Sequence, residues 1–397
     1  MKASFKLLSA VGIIAAIYAF SAVALFGETK PGMGHFVVTN DDVYGANTAT
    51  FYVAKSSGKL TQYKTVKTGG SGMNGGVFAA NSVALVRDSK EECVYVSDGG
   101  SGDVAGIVLQ TQKVTGRFKT SNSSDKGNMT MALNPKYLYA GFLGSSNIAA
   151  FKILPGCKLR YVNEVSVFGL NSGSCTGMAL QGSILVLTYG DGSIESFNIA
   201  KGVPKSNNDE QLSTGFNNDG GLPAGLDITE DGHYAIFGDA GSYVEIEVSD
   251  ISSGKLTATI EYGGPTGALG PGQNSNNVRL SPDESLLYIS VNVSGEVAAA
   301  FFDKTTGALN EGCFSSPLKG YGSRWDFTTG LATKAISGTG EAIYVAEDAE
   351  GMSSSIGIVE VSSSGGTCTL TEFSNSPVRD PNAGYLQSIG AYPPRPF

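Results

Sequence analysis

The sequence predicts an all-β protein, a single seven-bladed β-propeller with four strands in each blade. Two features of composition and one repeat support this fold. Glycine supplies 54 of the 397 residues, about twice the usual share of roughly 7%, and glycine weakens helix interiors. Charged residues make up only 16% of the chain, against about 25% in an average protein. The composition therefore excludes a helical bundle and a disordered, highly charged chain.

The repeat is a short pattern in which an apolar pair is followed by a small residue and then by a polar or glycine turn. It begins at seven positions, separated by 58, 44, 47, 50, 52 and 56 residues. Those positions are Val37, Tyr95, Tyr139, Val186, Ile236, Tyr288 and Tyr344. A period of about 50 residues is typical of a propeller blade. Seven copies account for the chain that follows the N-terminal segment.

The sixth copy shows the four strands of a blade most clearly. Alternating or apolar stretches predict strands over Asn277–Ser281, Leu286–Val291, Gly295–Asp303 and Ala308–Ser315. Turn residues separate them, including Gly307, which reaches a positive φ without a steric penalty.

The two ends of the chain are predicted to close the ring. The first copy begins at the second strand of its blade, His35–Asn40, and Tyr385–Tyr392 has the pattern of a strand without a blade of its own. We expect this segment to be the inner strand of blade 1, because a shared blade removes an open sheet edge. The alternative is a chain of β-sandwiches, which would give a period of about 100 residues and linkers rich in proline or charge.

Residues 1–24 have the pattern of a secretory signal peptide. Lys2 and Lys6 supply positive charge, Leu7–Phe20 is the apolar stretch, and Ala22-Val23-Ala24 is a cleavage site. An uncleaved anchor is the alternative, since about 20 uncharged residues can span a bilayer. Cleavage predicts a secreted protein, in the periplasm, at the cell surface or in the medium. The propeller then occupies residues 25–397.

The charge and the cysteines exclude several classes of protein. The formal charge of −9 disfavours nucleic acid as a partner. The odd number of cysteines permits disulfides in an oxidising compartment but leaves at least one thiol without a partner in the chain. No C-x-x-C pair is present, so zinc, thioredoxin-like and c-type haem sites lack support, and no cofactor is expected. The five cysteines are Cys93, Cys157, Cys175, Cys313 and Cys368.

Two stretches carry a resemblance to a known family. NVRLSPDESLLYISVN at Asn277–Asn292 and FFDKTTGAL at Phe301–Leu309 resemble the blade signature of the lactonase-like seven-bladed propellers. This group includes 6-phosphogluconolactonase-type and carboxymuconate-cyclising proteins and the YVTN surface repeats, and VVTN at Val37–Asn40 is close to YVTN itself. The opening of the chain is similar to secreted bacterial members that have no settled activity. The resemblance implies the propeller fold and an acid–base set of His, Glu and Arg around the central channel.

The catalytic part of this resemblance is incomplete. Family members tend to carry a G-P-H-P-H stretch after the first blade, where this chain has Gly70–Gly76 without histidine. The two histidines of the chain are His35, at the start of a strand, and His233, at a turn, and we expect both to be turn or surface residues. Where the family often continues blade 6 with Asn-Arg, this chain has Val291-Asn292. The sequence therefore predicts no catalytic residue.

Polar side chains are expected at one mouth of the channel, where the loops before the inner strands meet those between the second and third strands. Trp325, the only tryptophan, could stack on a sugar or aromatic ring while charged neighbours orient it. The alternative is a structural plug beside a local ion pair. Arg279 lies in an inner strand, where a charge is costly unless it faces a wet channel. The predicted ligand-binding residues are Arg324, Trp325, Asp326, Arg279, Asn276 and Asp219.

Two functions remain open at this point. The favoured one is a secreted monomer that binds a small hydroxyl-rich ligand or an envelope protein, or acts as a scaffold, without catalysis. The alternative is a lactonase-type hydrolase acting on a sugar or aromatic lactone at the channel mouth. Loop carboxylates such as Asp41, Asp42 and Asp98 suit hydroxyl groups or Ca²⁺, but tight turns also require them. No D-x-D-x-D-G spacing is present, so no metal is expected.

Overall fold

Strands joined by tight turns make up the part of the chain that the computed structural model describes. The described residues are 35–392 except 56, 75–82, 88–90, 121, 123–126, 128, 168, 172–173, 213–222, 240–243, 264–274, 293, 321–326, 336–340, 349–353 and 387. Within these ranges there is no helix of the length and apolar character needed to cross a membrane.

Seven antiparallel sheets form a ring, and each sheet is one blade. Each inner strand packs against the inner strands of the two neighbouring blades, so the seven inner strands surround a central channel. The inner strands of blades 1 to 7 are β30 (Ser388–Tyr392), β4 (Val83–Arg87), β8 (Met129–Leu133), β12 (Cys175–Gln181), β17 (Pro223–Ile228), β21 (Ser275–Leu280) and β25 (Phe327–Ala335).

The outer three strands of each blade follow in chain order. The second strands are β1 (His35–Asn40), β5 (Glu92–Asp98), β9 (Tyr137–Phe142), β13 (Ile184–Tyr189), β18 (Tyr234–Asp239), β22 (Leu286–Val291) and β26 (Glu341–Asp348). The third strands are β2 (Thr48–Ala54), β6 (Asp103–Val108), β10 (Asn147–Leu154), β14 (Ser193–Ala200), β19 (Glu245–Ser252), β23 (Glu296–Asp303) and β27 (Ser355–Ser364). The fourth strands are β3 (Leu60–Lys67), β7 (Lys113–Lys119), β11 (Lys158–Ser166), β15 (Val203–Ser206), β20 (Lys255–Gly263), β24 (Ala308–Phe314) and β28 (Thr367–Glu372). Two short strands, β16 (Gln211–Leu212) and β29 (Val378–Arg379), pair with β14 and β27.

The ring has two faces that differ in the loops they carry. We call upper the face with the loops before each inner strand and between the second and third strands. The lower face carries the turns between the first and second strands and between the third and fourth strands.

Both ends of the propeller complete blade 1, as the sequence predicts. β30 pairs antiparallel with β1, with Phe36 opposite Tyr392 and Asn40 opposite Ser388. The C-terminal strand falls within the predicted segment and supplies the inner strand that the first copy lacks. Blade 1 therefore has no missing inner strand.

The repeated pattern marks the second strand of every blade. All seven of its first residues are fully buried between neighbouring blades. Where that residue is tyrosine, its hydroxyl can also bond to the next blade. The Tyr139 hydroxyl donates to the carbonyl of Gly202 at 3.3 Å, and that of Tyr344 to Gly58 at 3.4 Å. Both glycines lie in the turn before a fourth strand, so these tyrosines tie successive blades together.

Two disulfides also join neighbouring blades. Cys93 on β5 bonds to Cys157 in the turn before β11, and Cys313 on β24 bonds to Cys368 on β28. The unpaired thiol that the odd count predicts is Cys175 on β12. Burial raises the pKa of this thiol to about 12, so it stays protonated and packs as a small apolar group.

Candidate functional site

The predicted ligand-binding residues divide into two groups. Asp219, Arg324, Trp325 and Asp326 lie outside the described residues. Asn276 and Arg279 are both on β21, the inner strand of blade 6. The described part of the predicted site is therefore the channel wall at blade 6.

Asn276 occupies a β-bulge that the inner strands of blades 4 to 7 share. In each strand one residue lacks a partner on the neighbouring second strand; these residues are Thr176, Gly225, Asn276 and Thr329. Gly225 is required, because a Cβ atom there would lie 2.5 Å from main-chain atoms of Asn276 and Asn277. The Thr176 hydroxyl donates to the carbonyl of Pro223 in the next blade at 2.6 Å. The bulges thus fasten neighbouring inner strands, and Asn276 is buried in that junction.

Arg279 lies lower on β21 and pairs with Asp227 of β17. The Asp227 carboxylate accepts the main-chain N–H of Leu280 at 2.9 Å. That N–H projects from the edge of β21 that has no strand partner, and this edge faces the channel. Arg279 Nη1 is 3.9 Å from Asp227 Oδ1. An arginine–aspartate pair therefore joins the inner strands of blades 5 and 6 near the lower mouth.

On the upper face, Asp41 is buried in a hydroxyl network instead of facing a ligand. It accepts hydrogen bonds from Thr39, Thr48 and Thr50 at 2.7, 2.6 and 2.8 Å. Burial, with a smaller contribution from the nearby carboxylate of Asp380, raises the pKa of Asp41 to about 7. The geometry favours the structural alternative for this loop carboxylate.

Asp98 is held in the same way at the top of blade 2. It accepts hydrogen bonds from Asn47 Nδ2 at 2.8 Å and Thr68 Oγ1 at 2.7 Å, and Gly70 packs directly on the carboxylate. Burial raises the pKa of Asp98 to about 7. Since Asn47 and Thr68 belong to blade 1, this carboxyl group joins two blades. Within the described ranges, no three His, Cys, Asp or Glu side chains are grouped to hold a metal ion.

Exposed acid–base residues lie on the lower face, in the turn between β17 and β18. His233 Nδ1 and Asp231 Oδ2 are 3.0 Å apart, and the two side chains are 68% and 45% exposed. Asp231 Oδ1 accepts hydrogen bonds from the Thr229 hydroxyl and the main-chain N–H of His233. Partial burial acts to raise the pKa of Asp231, but these hydrogen bonds outweigh it and the pKa is lowered. The ionised carboxylate therefore holds the Nδ1 side of the imidazole and leaves Nε2 for another partner.

His233 and Asp231 line a cleft of about 500 Å³ between blades 5 and 6, which we call the blade 5–6 cleft. Its opposite wall is held by Tyr234, whose hydroxyl donates to the carbonyl of Thr305 at 3.2 Å and whose ring packs on Gly307. The turn of blade 6 that carries Lys304 is thereby fixed against the turn that carries His233. The lining residues are Glu230, Asp231, His233, Glu284, Lys304 and Thr305.

A second cleft, of about 340 Å³, lies on the other side of the same turn, between blades 4 and 5. It shares Glu230, Asp231 and His233 with the first cleft, and we call it the blade 4–5 cleft. Both volumes fall in the range of roughly 300–1,000 Å³ found for ligand pockets. Its further lining residues are Gln181, Gly182, Ser183, Ile184, Gly232, Ile251, Ser253 and Gly254.

A hydrogen bond across the blade junction sets the position of the His233 turn. Glu284 Oε1 accepts the main-chain N–H of Glu230 at 2.6 Å. Glu284 is almost fully buried and has a positive φ of 59°. From the channel outward, the Asp227–Arg279 pair, the Glu230–Glu284 bond and the Asp231–His233 pair thus follow the same blade junction.

The family model described as "Lactonase, 7-bladed beta-propeller" matches residues 93–383, which is most of the chain. The chain belongs to this lactonase family. No curated protein sequence is significantly similar to it.

Three solved bacterial protein structures are similar to this lactonase-family propeller. A proposed 6-phosphogluconolactonase from Bacteroides fragilis has a TM-score of 0.64 at 16% identity, over 92% of this chain and 99% of that chain. A functionally unknown protein from Desulfotomaculum acetoxidans has a TM-score of 0.62 at 14% identity, over 90% and 99%. The Pseudomonas aeruginosa periplasmic gluconolactonase PpgL has a TM-score of 0.54 at 17% identity, over 71% and 82%. At these identities the likeness shows the fold alone.

Of the two clefts in this lactonase-family propeller, the blade 5–6 cleft combines the Asp231–His233 pair with a lysine, Lys304. A histidine oriented by a carboxylate can take and return a proton, and a lysine on the same cleft can stabilise a developing negative oxygen. Sequence reasoning places His233 correctly at a turn, but it does not single out Asp231 or Lys304. Their approach depends on the packing of two blades, and the residues have no motif spacing of their own.

Proposed function

We propose that the protein is a lactone hydrolase whose substrate binds in the blade 5–6 cleft. The observation that carries this proposal is the Asp231–His233 pair on the wall of a cleft that also contains Lys304. Membership of the lactonase family supports the same activity and favours it over a non-catalytic binding protein.

The proposed reaction needs one base, one cation and water. Nε2 of His233 accepts a proton from water as the water oxygen bonds to the lactone carbonyl carbon. The ammonium group of Lys304 stabilises the resulting oxyanion. The ring C–O bond then breaks, and the departing alkoxide takes the proton back from the imidazolium, giving a hydroxy acid. Asp231 acts as a positioning residue, because its carboxylate sets the orientation of the imidazole and stabilises its cationic form.

The experiment is a hydrolysis assay on a panel of sugar and aromatic lactones with the purified protein. We expect turnover above background for the wild type, and a loss of about 10²–10⁴-fold in kcat for His233→Gln. His35→Gln is the matched control, because it makes the same chemical change at the other histidine of the chain. Full activity in His233→Gln would place the chemistry elsewhere. An inactive wild type on every lactone would favour the ligand-binding or scaffold role instead.

We also propose that the protein is secreted, with cleavage after Ala24. Two disulfides between blades are consistent with an oxidising compartment. Mass spectrometry of the protein from its own cells tests this, since cleavage removes Lys2 and Lys6 with the first 24 residues. Retention of those residues in the mature protein would contradict secretion by this route.

A further inference from the structure

The two clefts that meet at His233 are both negatively charged. The blade 5–6 cleft sets Glu230, Asp231 and Glu284 against one cation, Lys304. The lining of the blade 4–5 cleft, taken over the described ranges, contains Glu230 and Asp231 and neither lysine nor arginine. An anionic substituent on a ligand would therefore face a surplus of carboxylates on either side of the histidine.

The blade 4–5 cleft combines neutral polar groups with an apolar patch. Ser183 and Ser253 supply hydroxyl groups, while Ile184 and Ile251 supply the apolar surface. The side-chain amide of Gln181 is fixed, because Nε2 donates to the main-chain carbonyl of Glu230. Hydroxyl and amide groups beside aliphatic carbon match a sugar ring, which has a hydroxylated edge and apolar faces.

His233 lies at the boundary between the two clefts. The imidazole and Asp231 form part of the lining of both clefts, so a ligand that extends across this turn from one cleft to the other would have its central bond beside the histidine. The larger volume, about 500 Å³, lies on the side with Lys304, and the smaller, about 340 Å³, lies on the neutral side. A single sugar lactone would use only one of them.

We propose that the substrate is an uncharged disaccharide lactone, with the lactone ring in the blade 5–6 cleft and the second sugar in the blade 4–5 cleft. Phosphorylated sugar lactones are poor substrates, because their dianion faces the carboxylates of both clefts. The ring-opening step in this inference rests on the proposed function. The two sugar sites do not depend on it.

Steady-state kinetics with three lactones test the substrate class. The probes are cellobionolactone, glucono-1,5-lactone and 6-phosphoglucono-1,5-lactone. We expect kcat/KM to fall by about tenfold at each step in that order, and the penalty on the phosphorylated lactone to shrink toward about 1 M salt as screening increases. Equal or faster turnover of the phosphorylated lactone, or no advantage for the disaccharide, overturns the inference.

A blocking variant tests the second sugar site. Ser183→Trp fills the blade 4–5 cleft, so the ratio of kcat/KM for cellobionolactone over gluconolactone should fall toward one. Ser57→Trp is the matched control, because Ser57 is an exposed serine in a lower-face turn of blade 1 and the substitution should leave the ratio unchanged. A ratio unaffected by Ser183→Trp contradicts the assigned site.

The charge of the clefts is tested by a variant that removes one carboxylate from both of them. Glu230→Gln should raise kcat/KM for the phosphorylated lactone by about threefold to tenfold.

Binding can be measured independently of turnover, because the chain has only two histidines. With isotope-labelled histidine, NMR reports the imidazoles of His233 and His35 alone. The probe is the lactam analogue of cellobionolactone, in which N–H replaces the ring oxygen. Titration should shift the His233 signals and leave His35 unchanged; no shift of His233 at about 10 mM lactam overturns the sugar sites. A His233 shift without turnover of any lactone supports the sugar sites and contradicts the proposed hydrolysis.

Discussion

Blades 5 and 6 carry the same turn after their inner strands, built on the same hydrogen bonds. Thr229 donates its hydroxyl hydrogen bond to Asp231 at 2.7 Å, and Ser281 donates to Asp283 at 2.7 Å. In both turns the residue two positions after the aspartate donates its main-chain N–H to the same oxygen at 3.0 Å. The aspartate therefore stabilises the turn in the same way in each blade.

The two turns differ in the side chain that follows. In blade 6, Ser285 donates its hydroxyl hydrogen bond to Asp283 at 2.8 Å. In blade 5, the equivalent residue is His233, whose ring pairs with the second oxygen of Asp231 and borders two clefts. Since blade 6 forms the turn without an imidazole, the fold does not require histidine at position 233. The comparison separates a structural aspartate from a histidine that is available for chemistry.

Making the blade 5 turn resemble that of blade 6 should have the largest effect. His233→Ser keeps the main-chain bond to Asp231 but removes the imidazole, so we expect kcat on lactones to fall about 10²–10⁴-fold. Thermal melting should show a change in Tm below about 2 °C, because the substituted side chain is exposed. Adding Ser285→His to this variant should not restore turnover, and recovery would contradict the assignment of the site to this turn.

The same substitution in both turns separates positioning from folding. Asp231→Asn keeps an acceptor for the Thr229 hydroxyl but presents an amide N–H to the imidazole, which favours the wrong tautomer. We expect kcat to fall at least about tenfold, with little change in KM. Asp283→Asn is the matched control and should leave kcat unchanged. Equal losses of activity in the two variants would mean that both act through the fold.

The fold could be predicted from the sequence because its determinants are local. The repeated pattern that begins at residues such as Tyr288 and Tyr344 marks a buried second strand, and turn residues such as Gly307 set the strand boundaries. Ring closure is predicted because the first copy lacks an inner strand and Tyr385–Tyr392 has the pattern of one. Each of these signals lies within a single blade.

The candidate site could be predicted only in part because it is built between blades. His233 and Lys304 are 71 residues apart, and no spacing rule connects them. The sequence also does not show which turn carboxylates are buried. Asp98 and Asp231 both lie at a turn or a strand end, yet Asp98 is fully buried and Asp231 is exposed. Only the packing of neighbouring loops distinguishes them. Arg279 differs from these residues, because the prediction that it lines the channel rests on the cost of burying a charge, which is a local argument.

The pH dependence of stability should have opposite signs for the buried carboxyl group of Asp98 and the turn carboxyl group of Asp283. Burial raises the pKa of Asp98 to about 7, so its contribution to stability is full below the ordinary value near 3.8 and is lost as the pH rises through about 7. For Asp283, partial burial acts to raise the pKa, but hydrogen bonds from Ser281 and Ser285 outweigh it and lower the pKa. Its contribution is present above the ordinary value and is lost as the pH falls through the lowered pKa.

Thermal melts from pH 5 to 8 with Asp98→Asn test the buried carboxyl. The amide keeps an acceptor for Asn47 and Thr68 but cannot ionise, so the variant should gain a few degrees in Tm relative to the wild type as the pH rises, roughly 2–4 °C for each kcal/mol. A constant difference in Tm across this range would contradict titration of Asp98 near neutral pH.

The smallest effect concerns the residue before His233 and its counterpart before Ser285. Gly232 and Glu284 both have positive φ, 73° and 59°, a conformation that costs a residue with a Cβ atom roughly 1–2 kcal/mol. Gly232→Ala should therefore lower the free energy of unfolding by about 1 kcal/mol in urea titrations.

Glu284→Gly relieves that strain but also removes the carboxylate that accepts the N–H of Glu230. A hydrogen bond to a charged group contributes about 1.5–3 kcal/mol, so this variant should also be less stable. If Glu284→Gly is more stable than the wild type, the bond across the blade junction is weaker than the strain, and blade packing alone would position the His233 turn.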